Sequence, residues 1–258
     1  MTRPLALVTG ASSGFGAGFA RRFAAEGYDV VLVARREDRL RALADELAPL
    51  GAAAHVLPTD LSTSEGVAGL LAGLDARSLT VDALVNNAGF GTYGTFVEQD
   101  PARIAEEIAV NVTALTMLTR ALLPQLLAAK AGILINISST ASYQPGPNIS
   151  VYAATKAYVR SLTEAIWQEA QGTSLRVLNI APGPSQTEFF AVAGTDAFNV
   201  GQQITTDDVV SLAFSELAKG AKRPSRIVGR GNALQAMAAR FAPTKLTLAV
   251  ADKQLGRK

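Results

Sequence analysis

The chain has no cysteine and a single histidine, His55. The first absence removes disulfides, a thiolate nucleophile, iron–sulfur ligation and cysteine-based zinc sites. The second argues against an imidazole-built metal site or a Ser-His-Asp triad. Glycine and proline, at 22 and 11 residues, are too few for a low-complexity chain. No window approaches the ~18 to 20 uncharged apolar residues of a membrane span. Met1-Thr2-Arg3-Pro4 leads into only a short apolar segment, without the length or cleavage region of a signal peptide. The expectation is a cytoplasmic protein with no transmembrane segment. What remains for chemistry is hydroxyls, amides, carboxylates, lysine or a borrowed cofactor.

What is present is aliphatic. Hydrophobic residues make up 48% of the 258, against 18% charged, enough to fill the core of a single domain spanning 1–258. Charge is unevenly placed: the first 218 residues hold 14 Lys/Arg against 21 Asp/Glu, and the last 40 hold 10 against 1. Short aliphatic runs at Leu5–Thr9, Asp29–Ala34, Ala53–Pro58, Ala83–Asn86, Gly132–Ser138, Leu175–Ala181 and Arg226–Gly229 read as strands. Several are apolar throughout, as in strands buried on both faces. Helical stretches near 14–26, 36–48, 64–74, 101–129, 150–170 and 206–219 separate them. Ser62 and Glu65 suggest a capping box, Asp100-Pro101 an N-cap with proline at the first helical position, and Pro124 a kink or break in 101–129. Alternation of this kind predicts an α/β doubly wound parallel sheet of about seven strands, with helices on both faces and ligands beyond the strand C-termini. The unpatterned stretch 185–205 reads as a substrate lid. Residues 230–258 form a basic C-terminal helical extension, with helices near 232–241 and 245–255. Leu234, Met237, Ala238 and Phe241 recur there at helical spacing, which suits subunit packing first; a solvated surface, an anionic carrier site and a membrane-surface contact stay open. A basic tail without a recognition fold gives no support for nucleic-acid binding.

The loop Gly10-Ala11-Ser12-Ser13-Gly14-Phe15-Gly16 follows the first strand and opens a helix, so its backbone N–H groups can face a pyrophosphate. The second strand ends in Arg35-Arg36, where an acid would bind a ribose 2′-hydroxyl and arginine a 2′-phosphate. NADP(H) is therefore expected over NAD(H), unless Glu37 or Asp38 makes the ribose contact. Tyr152 and Lys156, four apart on a helix, share a face. The ammonium should lower the phenol pKa toward the working pH.

Asn86-Asn87-Ala88-Gly89, Asn111, Ser138-Ser139, Tyr152-Ala153-Ala154-Thr155-Lys156 and Pro182-Gly183, in this order behind the glycine loop, resemble the classical short-chain dehydrogenase/reductase family from about residue 5 to 190. The resemblance implies a Rossmann-type fold and a homodimer or homotetramer formed through helices 101–129 and 150–170. It implies a catalytic set of Asn111, Ser139, Tyr152 and Lys156, with Ser139 preferred to Ser138 because it lies 13 residues before Tyr152. It implies Asp60 and Leu61 flanking the adenine, Asn87, Ala88 and Gly89 beside the ribose, and Pro182, Gly183, Ser185 and Thr187 holding the nicotinamide. Asn111 should carry a water that relays protons to Lys156. Phe15 and Ser185 depart from the commoner aliphatic residues of the family pattern. The variable segments contribute Phe90, Tyr93, Tyr143, Phe189 and Phe190 to a mostly apolar substrate pocket. The activity implied is NADP(H)-dependent hydride transfer to an apolar ketone, aldehyde or 3-oxoacyl compound, with Tyr152 as acid or base. A catalytically idle NADP(H) sensor or scaffold on the same fold is the alternative; an epimerase or dehydratase with bound NAD is a third reading.

Overall fold

A computed structural model describes residues 3–185 and 203–255. Seven strands form one sheet: β1 (Leu5–Thr9), β2 (Asp29–Ala34), β3 (Ala54–Pro58), β4 (Ala83–Asn86), β5 (Ile133–Ile137), β6 (Arg176–Ala181) and β7 (Ser225–Ile227). Their order is β3-β2-β1-β4-β5-β6-β7 and every pairing is parallel. Strand order reverses between β1 and β4, which opens a crevice beyond the C-terminal ends of those two strands.

Period-2 alternation splits the buried strand residues between two cores. Ala6, Val8, Val30, Leu32 and Ile135 pack under α1 (Gly14–Ala25), α2 (Glu37–Leu47) and α7 (Thr206–Ala218). Leu5, Leu7, Val31, Leu84 and Leu134 pack under α3 (Ser64–Ala76), α5 (Leu115–Ala128) and α6 (Ser150–Glu169). With both faces covered, the near-continuous apolar strands are explained.

Two local expectations are corrected. The expected 101–129 helix is divided, but not at Pro124: α4 (Pro101–Ile108) passes through a π-helical stretch, Ala109–Ala114, into α5, which contains Pro124. Pro124 is exposed, as is Arg120, whose carbonyl it leaves without the helical bond, so water can satisfy that group. The cap of α3 is Thr63, whose Oγ1 accepts from Gly66 N at 3.0 Å; Ser62 instead donates to Asp60. Asp100 caps α4 ahead of Pro101 as expected, accepting from Ala102 N at 2.9 Å.

Beyond β7, α8 (Arg230–Phe241) and α9 (Thr244–Leu255) fold back over the C-terminal edge of the sheet. No helix among the described residues is long and apolar enough to cross a membrane.

Candidate active site

The glycine loop after β1 is shaped by its own backbone. Gly10 has φ +67, and a Cβ there would meet Asn87 Nδ2 at 2.7 Å. Asn87 spends its amide on holding this loop, donating to the carbonyls of Thr9 at 2.9 Å and Gly10 at 3.4 Å. Thr9 Oγ1 in turn accepts from the N–H groups of Asn87 and Ala88. Ser13, the N-cap of α1, makes no capping bond. Its hydroxyl, with that of Ser12, accepts from Arg36 at 3.1 and 2.9 Å. The first turn of α1 thus keeps its N–H groups for a ligand, beside a guanidinium.

A cavity of about 410 Å³ begins here. Ser12, Ser13, Gly14, Phe15, Arg35, Arg36, Asp60 and Leu61 line one end, with Asn87, Ala88 and Gly89 at its middle. Gly16 lies behind the loop, where a Cβ would meet the Gly10 carbonyl. Asp60 is fixed by accepting from Ser62 N and Oγ, which hold its carboxyl below the usual range, as Arg35 does to a lesser extent. Neither Glu37 nor Asp38 reaches the cavity; Glu37 is paired with Arg41.

Ser139, Tyr152, Lys156, Pro182, Gly183 and Ser185 line the other end. Of the two serines after β5, Ser138 turns to the Ile180 carbonyl, and Ser139 hydrogen-bonds Tyr152. Lys156 is buried and donates to the Ile137 carbonyl at 3.0 Å. Burial drops its pKa to about 8, and the nearby Glu107 opposes that fall. The expectation of an acidified Tyr152 is corrected for the protein alone: burial pushes the phenol well above its usual value, Ser139 lowers it, and Glu107 raises it. Desolvation outweighs the Ser139 hydrogen bond, and the Glu107 charge acts in the same direction as the burial.

Asn111 sits in the π-helical stretch with its side chain fully engaged. Oδ1 accepts from Phe90 N at 3.1 Å, and Nδ2 donates to the Phe90 carbonyl at 2.8 Å and to Thr155 Oγ1 at 3.1 Å. Its amide clamps the loop after β4 to α6. Glu107, one turn earlier and fully buried, was not singled out by the sequence. Its Oε2 accepts from Thr92 N at 3.0 Å and Thr92 Oγ1 at 2.7 Å, while Oε1 is buried with no hydrogen-bond partner among the described residues. Burial raises its pKa against the pull of Thr92 and Lys156. An acid at i−4 from Asn111 was the available signal.

The substrate end is partly as expected. Phe90 lines it, with the Arg103 guanidinium 4.0 Å from its ring centroid. Tyr93 and Tyr143 do not line it, a correction to the expected pocket. Tyr93 points its hydroxyl at the Leu255 carbonyl, and Tyr143 packs under Arg160 beside Ser225. Thr187, Phe189 and Phe190 lie outside the described residues. In place of the two tyrosines, α8 and α9 bring Asn232, Gln235, Ala236, Gln254 and Leu255 to the cavity. Gly183 permits this, since a Cβ there would lie 2.3 Å from Asn232 Nδ2.

A glycine loop on a helix N-terminus and a Ser-Tyr-Lys group in one cavity narrow the comparison to few families. The short chain dehydrogenase family model matches residues 4–197. The chain belongs to that family. This short chain dehydrogenase is 37% identical over 213 residues to serine 3-dehydrogenase of Rhizobium radiobacter, covering 80% of this chain and 84% of that one. It is 36% identical over 202 residues to the NADP-dependent 3-hydroxy acid dehydrogenase of Escherichia coli K12, covering 76% and 75%. Among solved structures it resembles a short-chain dehydrogenase from Sphingobium yanoikuyae in complex with NADPH, at TM-score 0.81 and 34% identity, covering 94% of both chains.

Proposed function

We propose that this short chain dehydrogenase is an NADP(H)-dependent reductase of apolar ketones, aldehydes or 3-oxoacyl compounds, with Tyr152 as general acid. The observation that carries the reading is one cavity joining the paired guanidiniums of Arg35 and Arg36 to the Ser139–Tyr152–Lys156 group. The residues fit the dinucleotide. Gly10 is left-handed, the N-terminus of α1 has no side-chain cap, and Arg35 and Arg36 line the cavity beside it, which supports binding of a 2′-phosphate. Pro182, Gly183 and Ser185 would hold the nicotinamide end. When bound, NADPH would supply the hydride.

Tyr152 gives its proton to the substrate oxygen as the carbonyl carbon accepts hydride, leaving an alcohol. Burial keeps the phenol protonated until that moment, which suits it as a donor. The Ser139 hydroxyl orients the oxygen. Lys156 stands behind Tyr152, its ammonium 5.8 Å from the ring centroid. Its charge favours the phenolate left behind.

Serine and 3-hydroxy acids, named for two relatives, carry a carboxylate. Among the described lining residues, the cations are Arg35, Arg36 and Lys156. Phe90, Val110, Ala141, Ile149 and Leu255 favour an apolar substrate body. The test is NADPH oxidation across ketones, aldehydes and 3-oxoacyl thioesters, with NADH and Tyr152→Phe in parallel. Turnover that rises with substrate apolarity and vanishes in Tyr152→Phe is expected. Tight NADPH binding without turnover on any substrate would favour an idle sensor.

The same reading carries a homodimer or homotetramer. Ile108, Met117 and Tyr158 are exposed on α4, α5 and α6, the helices the family pairs. Light scattering should give a mass of two or four chains. A monomer would remove this part of the reading.

A further inference from the structure

The family model stops at residue 197, so α8 and α9 lie beyond what it assigns. These helices nevertheless wall the substrate end of the cavity through Gln235, Ala236, Gln254 and Leu255. Their attachment is specific. The last carbonyls of an α-helix have no partner within it. Here the Leu255 carbonyl accepts from Tyr93 Oη at 2.7 Å and from Asn148 Nδ2 at 3.3 Å. The Leu255 side chain is buried with Ile149 and Tyr152, and Tyr93 packs against them.

Asn148 adds a third strand to the knot. It holds a left-handed backbone, φ 61, and its carbonyl accepts from Gly94 N at 2.9 Å. A non-glycine residue keeps that conformation only where its surroundings hold it, and asparagine tolerates it best. The loop after β4, the loop before α6 and the end of α9 therefore meet at one junction against Tyr152.

The chemistry of the wall is uncharged and polar. Gln235 Nε2 and Gln254 Oε1 face each other at 3.4 Å, and both residues line the cavity, as does Gln144. A primary amide offers a donor and an acceptor and no charge. Of the other charged groups among the described lining residues, Lys156 is committed to the Ile137 carbonyl beside Tyr152, and Glu106 is paired with Arg103, so neither belongs to this wall.

We propose that α8 and α9 are this chain's own substrate wall, fastened at Leu255 by Tyr93 and Asn148, and that Gln235 and Gln254 select uncharged substrates carrying a hydrogen-bonding oxygen away from the reacting carbonyl. The selectivity rests on the reductase reading; the fastening does not.

Two measurements on the full NADPH-loaded chain test it. In hydrogen exchange, Tyr93→Phe should speed exchange across 244–255 about fivefold or more, the weight of one lost hydrogen bond, and leave α1 and β1 unchanged. In kinetics, wild type should prefer ethyl 3-oxobutanoate over 3-oxobutanoate by about 100-fold or more in kcat/KM, because Gln235 and Gln254 offer a carboxylate no counter-charge. Gln254→Leu should raise KM about fivefold for the ester and not for 2-heptanone. Unchanged exchange in Tyr93→Phe overturns the fastening. Equal or better use of the acid overturns the selection, as does an equal effect of Gln254→Leu on ester and ketone. If wild type reduces no carbonyl compound, the reductase reading and the selection fall together, and the exchange result still decides the fastening.

Discussion

Lys156 is held at a cost to the fold. Its pKa in the protein, about 8, lies below the ordinary lysine value of 10.5, because burial penalises the ammonium more than Glu107 supports it. For a cation with a depressed folded pKa, the unfolded chain holds more protons between the two values. Stability therefore rises as pH goes from about 8 to 10.5, and the full penalty stands below 8. The gap corresponds to about 3 kcal/mol. Lys156→Met removes this penalty but leaves the buried Ile137 carbonyl without its donor, at a cost of about 1 to 3 kcal/mol. Denaturant unfolding without cofactor should find the variant at least as stable at pH 7, by up to roughly 2 kcal/mol, with the advantage shrinking above pH 8. It should also have no reductase activity. A variant less stable at pH 7 would mean that Glu107 fully compensates the charge. Glu107 makes its own prediction, since it raises both Tyr152 and Lys156. Glu107→Gln should move the pH profile of kcat/KM to lower pH, and an unshifted profile would confine Glu107 to holding Thr92.

At the scale of elements, one row of polar side chains crosses the sheet that hydropathy alone reads as apolar. Asn86, Asn136 and Asn179 occupy paired positions on β4, β5 and β6, and Ser225 continues the row on β7. Asn86 Nδ2 donates to Asn136 Oδ1 and Thr119 Oγ1, both at 2.9 Å, and Asn136 Nδ2 donates to Thr163 Oγ1 at 2.9 Å. The row ties β4 and β5 to α5, which continues the π-helical stretch holding Asn111, and to α6, which carries Tyr152. Asn136→Ala leaves buried partners on both sides unpaired and should cost roughly 2 to 5 kcal/mol of unfolding free energy. A loss below ~1 kcal/mol would show that water replaces the amide. Here the limits of the sequence are visible. Strand positions were legible to within a residue or two because burial on both faces leaves long aliphatic runs. The break in 101–129 was not, because Pro124 is a strong local signal whereas the π-helical stretch at Asn111 is imposed by tertiary bonds to Phe90 and Thr155. Tyr93 and Tyr143 were misplaced for a related reason: their neighbours, Leu255 and Arg160, are 162 and 17 residues away along the chain.

At the scale of the molecule, the cavity takes its lining from β1 through α9 and spans the point where strand order reverses. A ligand there bridges both halves of the sheet, so its binding free energy is added to the stability of the whole fold. At about 100 times its Kd a ligand contributes ~2.7 kcal/mol, which for a chain of this size raises Tm by roughly 5 to 10 °C. NADPH should give such a shift, and NADH at the same concentration a smaller one, because Arg35 and Arg36 have no 2′-phosphate to pair with. Arg35 is the cleaner probe, since Arg36 also holds Ser12 and Ser13 and its loss would loosen the glycine loop itself. Arg35→Ala should narrow the difference between the two cofactors while leaving Tm without ligand nearly unchanged. Equal shifts with NADPH and NADH in the wild-type protein would mean that the two arginines do not read the extra phosphate, and the cofactor preference would have to be reassigned.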